Sequence, residues 1–204
     1  MFNAIKQKFN RKNLTDERFL FLFDELQSDE VVVYDCETTG LNPKKDEIIS
    51  IGAVKIKGNK ILTNEAMHIF VKQKKQISHE SIAIHQIRHC DLEDAVEIEE
   101  AIEKFLYFIG NSKLVGYYLE FDVAMVNKYT KLMFGITLPN QQEEISAIYY
   151  DKKIATIPQG NIDLGFDMIL KDLSLPTLQM HDALNDAVMT AMMYLKIKNS
   201  KKLN

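Results

Sequence analysis

The sequence predicts an α/β fold with a mixed sheet. Two observations carry that prediction. Three strand-like runs follow one another across residues 30–71, and the last two are joined by Gly58-Asn59, which fits a tight hairpin. After residue 94, segments with helical apolar spacing alternate with short strand-like ones, as in an α/β domain.

The elements follow in order. Residues 1–13 hold Lys6, Lys8, Arg11 and Lys12 and no acid, and are expected to be a flexible basic arm. Residues 15–26 read as a helix capped by Asn13 or Thr15, with Asp16 and Glu17 in the first turn. The run Phe19-Leu20-Phe21-Leu22-Phe23 is too apolar for a free helix. Phe19, Leu22, Phe23 and Leu26 share a stripe that should pack on the domain, while Phe21 lies off it and is the candidate for an exposed contact. Residues 30–36 read as the first strand, 41–46 as a turn, 47–57 as a long strand and 60–71 as its return. Residues 94–109 are helical in spacing, with Ala95, Ile98, Ile102, Phe105, Leu106 and Ile109 on one face. Residues 113–117 and 146–150 read as short strands, and 121–133, 160–172 and 182–196 as helices. The expected organisation is an arm and amphipathic helix over 1–29, one domain over 30–197, and a short basic tail over 198–204.

An apolar share of 46% with 26% charged residues is that of a globular chain with enough residues for its own core. The two cysteines, Cys36 and Cys90, lie far apart, which argues for a reducing compartment and against a thiolate zinc site. No run of about 18 apolar residues is present to span a bilayer, and no signal-peptide pattern opens the chain. The expected location is the cytoplasm. The net charge of −4 hides a segregated pattern. Four basic residues in 1–13 and four in 196–204 leave seventeen basic against twenty-nine acidic residues, or −12, for the body. Such a body is a poor non-specific binder of nucleic acid. No G-x-x-x-x-G-K-[ST] loop is present, which sets aside a nucleotide-binding ATPase of that type.

Three segments carry chemistry. The first is Asp35-Cys36-Glu37-Thr38-Thr39-Gly40. Strand side chains alternate, so Asp35 and Glu37 share a face and Cys36 takes the other. Two carboxylates that close repel unless a cation lies between them, and hard oxygen ligands suit Mg²⁺ or Mn²⁺. The second segment runs from Leu114-Val115-Gly116 to Phe121-Asp122, and puts Asp122 in the first turn of a helix, where the dipole favours a carboxylate. The third is His181-Asp182-Ala183-Leu184-Asn185-Asp186-Ala187. Asp186 borders the apolar stripe of its helix and so faces the domain, and His181 precedes that helix as a candidate base. Taken singly, the second and third segments also fit ordinary helix caps.

Taken together, Asp35, Glu37, Asp122, His181 and Asp186 have the order and context of the DnaQ-like, DEDDh-type 3′-to-5′ exonucleases, which the chain resembles over residues 30–197. Asp-x-Glu-Thr-Thr-Gly-Leu at 35–41 and His-x-Ala-x-x-Asp-Ala at 181–187 are the specific matches. Ile84-His85-Gln86-Ile87 resembles the family's Ile-His-Gly-Ile turn with Gln86 in place of glycine, and Tyr117-Tyr118 stands where His-Asn is common. The motifs are most similar to those of the polymerase III epsilon proofreading subunit.

The resemblance implies a ribonuclease-H-like fold with a five-stranded mixed sheet flanked by helices. It implies two divalent cations, Mg²⁺ or Mn²⁺, on Asp35, Glu37, Asp122 and Asp186. It makes His181 the base for the attacking water and puts the 3′ end of a strand over Thr38, Thr39 and Gly40, past His85 and Phe121. The implied activity is release of nucleoside 5′-monophosphates from single-stranded DNA in proofreading or repair, with the polymerase III alpha subunit as a partner. The alternatives are RNA 3′-end trimming and an exonuclease fold kept as a non-catalytic binding module. Leu173-Ser174-Leu175-Pro176 has a superficial likeness to a sliding-clamp motif, but it lies inside the domain and reads as structural.

Overall fold

The computed structural model describes residues 2–25, 29–74, 76–155 and 161–200. The five strands are β1 (Val31–Thr38), β2 (Ile48–Lys57), β3 (Lys60–Phe70), β4 (Lys113–Gly116) and β5 (Gln142–Glu144). They form one mixed sheet of order β3-β2-β1-β4-β5. β1 pairs antiparallel with β2 and parallel with β4. The α/β class and the five-stranded mixed sheet are therefore as the sequence predicts.

The sheet has a buried layer on each face, because alternate residues of β1 point opposite ways. Val32, Tyr34 and Cys36 join the helices α3 (Ile98–Ile109) and α4 (Leu119–Phe134) in one core. Val31 and Val33 join α5 (Ile145–Ile154), α6 (Phe166–Asp172) and α7 (Ala183–Asn199) in the other. Burial on both faces explains why β1 opens as an unbroken apolar run rather than an alternating one.

Several elements differ from expectation. Residues 146–150 belong to α5, not to a strand; the last strand is the three residues just before it. The Glu144 carboxylate accepts from the Ser146 N–H at 3.1 Å and turns the chain into a helix that buries Ile145 and Tyr149, four residues apart. α3 starts at Ile98, later than the expected 94, because Val96 bridges Val71 and keeps the preceding chain extended. The expected helix over 160–172 begins only at Phe166; residue 160 lies outside the described residues. A short helix, here α2 (His79–His85), was not expected; Ser78 caps it by accepting from the Ser81 N–H.

The N-terminal region is also corrected. Residues 2–12 form a helix, α1 (Phe2–Lys12), rather than a flexible arm. Polar side chains tie it down: Gln7 Nε2 donates to Pro139 O at 3.0 Å and Asn10 Nδ2 to Thr137 O at 2.7 Å. An argument from apolar content cannot see such bonds. The following segment is a 3-10 helix over Glu17–Phe23, capped by Asp16 instead of Asn13 or Thr15. Phe19 and Leu22 are fully buried in it. Phe21 is half-buried and stacks on Tyr107 with centroids 5.5 Å apart, so it is not an exposed contact. Leu26 lies outside the described residues.

Candidate active site

β1 does more than end in carboxylates; it runs through them. Asp35 and Glu37 pair with Gly52 and Ser50 of β2, and strand alternation points both toward the face covered by α7. That face is where Asp186 lies, in the first turn of α7. One ligand oxygen from each of Asp35, Glu37 and Asp186 lies within 4.8 Å of the others. α7 approaches so closely because residue 52 is glycine: a Cβ there would sit 2.2 Å from the Ala183 carbonyl carbon and the Leu184 nitrogen.

Asp122 arrives from the opposite layer. It is buried on α4, and its Oδ1 accepts from the Cys36 N–H at 3.1 Å. The central strand is thus gripped from both sides, with Asp122 outside the tight cluster of three. Asp186 Oδ2 accepts from the His181 N–H at 3.0 Å, while its Oδ1 is buried without a partner among the described residues. His181 is exposed and has φ +59, so the chain turns sharply there before Asp182 caps α7.

The electrostatics follow from this crowding. Burial, then the neighbouring Asp122, Glu37 and Asp186 charges, holds Asp35 well above the usual carboxylate range. Burial, then Asp186 and Asp182, pushes Glu37 up to about 7. Burial also raises Asp186 to about 6, against the lowering effect of the His181 N–H. Asp122 is raised by burial despite its bond from Cys36. An unpartnered buried oxygen on Asp186, three clustered carboxylates and an all-oxygen donor set fit a hard divalent cation.

These groups floor a cleft of 820 Å³. Thr38, Gly40, His85, Phe121 and His181 line it too. Thr39 takes a different position. Its N–H donates to Glu47 O and its carbonyl accepts from Ser81 Oγ at 2.8 Å, so it braces the turn instead of lining the cleft. His85 is buried, and its Nδ1 accepts from the Ile87 N–H at 3.0 Å, which leaves the proton on Nε2. Gln86 adopts φ +60, the left-handed conformation that the glycine of the similar motif would take without strain.

Sequence reasoning missed Asp182, whose charge bears on Asp35 and Glu37, and Ser81, which anchors the Thr39 turn. It also missed Leu41, Ile84 and Tyr118 as cleft-lining groups. These three lie in separate segments, and nothing in the sequence says that those segments fold onto one cleft.

A mixed five-stranded sheet flanked by helices, with clustered carboxylates on its central strand, is the fold of the ribonuclease-H-like class. The chain belongs to the exonuclease family, in its DnaQ-like class: the family model matches residues 32–194. It is 33% identical over 171 residues to the PolC-type DNA polymerase III of Thermotoga maritima, covering 84% of this chain and 12% of that one. The chain thus spans about an eighth of the PolC-type relatives it matches. It is 29% identical over 174 residues to the DNA polymerase III subunit epsilon of Aquifex aeolicus, covering 85% of this chain and 83% of that subunit. In fold it is similar to exonuclease I, with TM-score 0.72, 17% identity, and coverage of 86% of this chain and 42% of that one. It is also similar to exonuclease X solved with 5′-overhanging duplex DNA, with TM-score 0.64, 23% identity, and coverage of 84% and 92%. No helix among the described residues is long and apolar enough to cross a membrane.

Proposed function

We propose that this chain is a metal-dependent 3′-to-5′ exonuclease acting on single-stranded DNA in replication proofreading or repair. The observation that carries the reading is the convergence of Asp35, Glu37 and Asp186 within 4.8 Å on the floor of a cleft that His181 also lines. Family membership supports nuclease chemistry, and the polymerase names of the relatives support DNA over RNA. The same names support a replicative polymerase as partner, with the polymerase III alpha subunit as the candidate, and hence action in the cytoplasm.

In this scheme Asp35, Glu37 and Asp186 would hold the cations together with Asp122, which reaches β1 from the other layer. Two bound Mg²⁺ or Mn²⁺ ions would supply stabilisation of the attacking and leaving oxygens of an in-line displacement at phosphorus. His181, exposed and lining the cleft, takes the proton of the attacking water. The bond from the water oxygen to phosphorus forms, and the bond from phosphorus to the 3′ oxygen of the preceding nucleotide breaks. That oxygen leaves with the bonding pair and takes a proton from solvent, and a nucleoside 5′-monophosphate is released. The turn through Thr38, Thr39 and Gly40, with His85 and Phe121, positions the 3′ end.

The test uses a 5′-labelled single-stranded DNA and the matched RNA, each with Mg²⁺, Mn²⁺ or EDTA. The expected result is metal-dependent shortening from the 3′ end, faster on DNA, with 5′-monophosphates as products. Absence of degradation with either metal overturns the nuclease reading, and faster loss of RNA overturns the choice of DNA.

A further inference from the structure

The cleft poses a problem of charge. Its lining holds the carboxylates of Asp35, Glu37, Glu120, Asp122 and Asp186, and no lysine or arginine among the described residues. A polyanionic strand cannot be held there by neutralising its phosphates with basic side chains. Above the acidic floor the lining is different. Leu41 is 88% exposed, Tyr118 68% and Ile84 54%, and all three face the same cleft. Apolar side chains of that size left in water mark a surface meant to be covered.

Tyr118 is the most tightly built of the three. Its backbone is left-handed, at φ +54 and ψ +34, which a bulky residue adopts at a cost. The Glu144 carboxylate holds it there, accepting from the Tyr118 N–H at 3.1 Å and the Leu119 N–H at 2.8 Å. Tyr117 braces the ring edge-on at 4.7 Å and is itself fixed by its hydroxyl, which donates to Leu164 O at 2.9 Å, and by Phe166 edge-on at 5.0 Å. A strained backbone, a bracing ring and an exposed aromatic surface converge on one side chain.

We propose that Tyr118 is the stacking platform for an unpaired nucleobase beside the scissile linkage, so that this acidic cleft selects its substrate by bases rather than by phosphates. The inference rests on the exonuclease reading and extends it to recognition. Any base offers a π-face, so the platform is indifferent to sequence but demands that the base be unpaired. A paired terminus keeps its base hydrogen-bonded to the opposite strand and stacked on its neighbour, and must fray before that base can turn onto the ring. A missing base removes the ligand altogether.

The experiment compares wild type, Tyr118→Ala and Tyr118→Phe on an unmodified single-stranded oligonucleotide and on two versions carrying one abasic site, at the terminal or the penultimate position. Tyr118→Ala is expected to raise KM on the unmodified strand by about 5- to 100-fold, the worth of one base stacked on an aromatic ring, and Tyr118→Phe to rescue it. Wild type should show the same loss on one of the abasic strands, where Tyr118→Ala loses nothing more. A second readout needs no catalysis: 2-aminopurine at either position should be quenched on binding to wild type in EDTA, and not to Tyr118→Ala. If Tyr118→Ala weakens the abasic and unmodified strands equally, or leaves KM and quenching unchanged, the platform is disproved while the exonuclease reading stands. Quenching by a wild type that cleaves nothing would leave the platform standing and overturn the exonuclease reading instead.

Discussion

Gly52 lies directly under the backbone of Ala183, so close that no side chain fits between them. Gly52 pairs with Asp35 across β1 and β2, and Ala183 opens the helix that carries Asp186. One contact between sheet and helix therefore sets the spacing of the carboxylate cluster. Gly52→Ala should push the start of α7 off the sheet, costing about 1–3 kcal/mol as overpacking does, and should cut activity more than stability alone explains. Urea melts and rates at saturating Mn²⁺ check it. A variant with wild-type stability and rate would mean that α7 has slack the close contact does not suggest.

Asp35→Asn and Asp186→Asn should each abolish metal-dependent hydrolysis. In the absence of metal both should melt higher than wild type, because each removes one of several like charges that burial already disfavours. Thermal melts in EDTA and in Mn²⁺ separate the effects. An Asn variant that retained most of the rate at saturating metal would remove that residue from the ligand set.

The metal-free protein should lose stability as pH rises. Glu37 moves from an ordinary 4.5 up to about 7, and Asp186 from 3.8 to about 6. A carboxyl whose folded pKa is raised favours the folded state fully below its unfolded pKa and loses that advantage as pH climbs through the folded value. The decline should therefore fall between about pH 4 and pH 7, at roughly 2–4 °C of melting temperature per kcal/mol in a chain of this size. Added Mn²⁺ should restore the lost stability at pH 7 and above. A flat melting curve from pH 4 to 7 in EDTA would contradict the clustering.

His181→Ala should lower turnover by about 10²–10⁴, the usual worth of a positioned proton acceptor. Affinity for the cation, read by titration with Mn²⁺, should change little, because what His181 gives Asp186 is a backbone N–H that alanine also carries. An unaltered rate under single-turnover conditions would make His181 a bystander.

Phe19→Ala should be severely destabilising, by about 3–5 kcal/mol, since the ring is wholly buried against Phe134 at 4.5 Å and Tyr107 at 5.3 Å. Phe21→Ala, at a half-buried stack, should cost less. Denaturant unfolding of the two variants decides it; equal, small losses would show that the 3-10 segment is not part of the core.

The sequence by itself determined the class of fold and which residue types could do chemistry. Strand alternation is enough to put Asp35 and Glu37 on one face, and an apolar stripe is enough to turn Asp186 inward, because both follow from local backbone geometry. Local geometry does not reveal distance between elements. Only the tertiary structure decided that Asp186 joins Asp35 and Glu37 while Asp122 reaches the same strand from the opposite layer through the Cys36 N–H. Likewise α1 was hidden because side-chain hydrogen bonds to residues 137 and 139 hold it, and bonds across more than a hundred residues leave no periodic trace. The lining by Leu41, Ile84 and Tyr118 was hidden for the same reason: a turn, a short helix and a helix cap far apart in the chain meet at one acidic cleft only after the sheet and its two helical layers have closed.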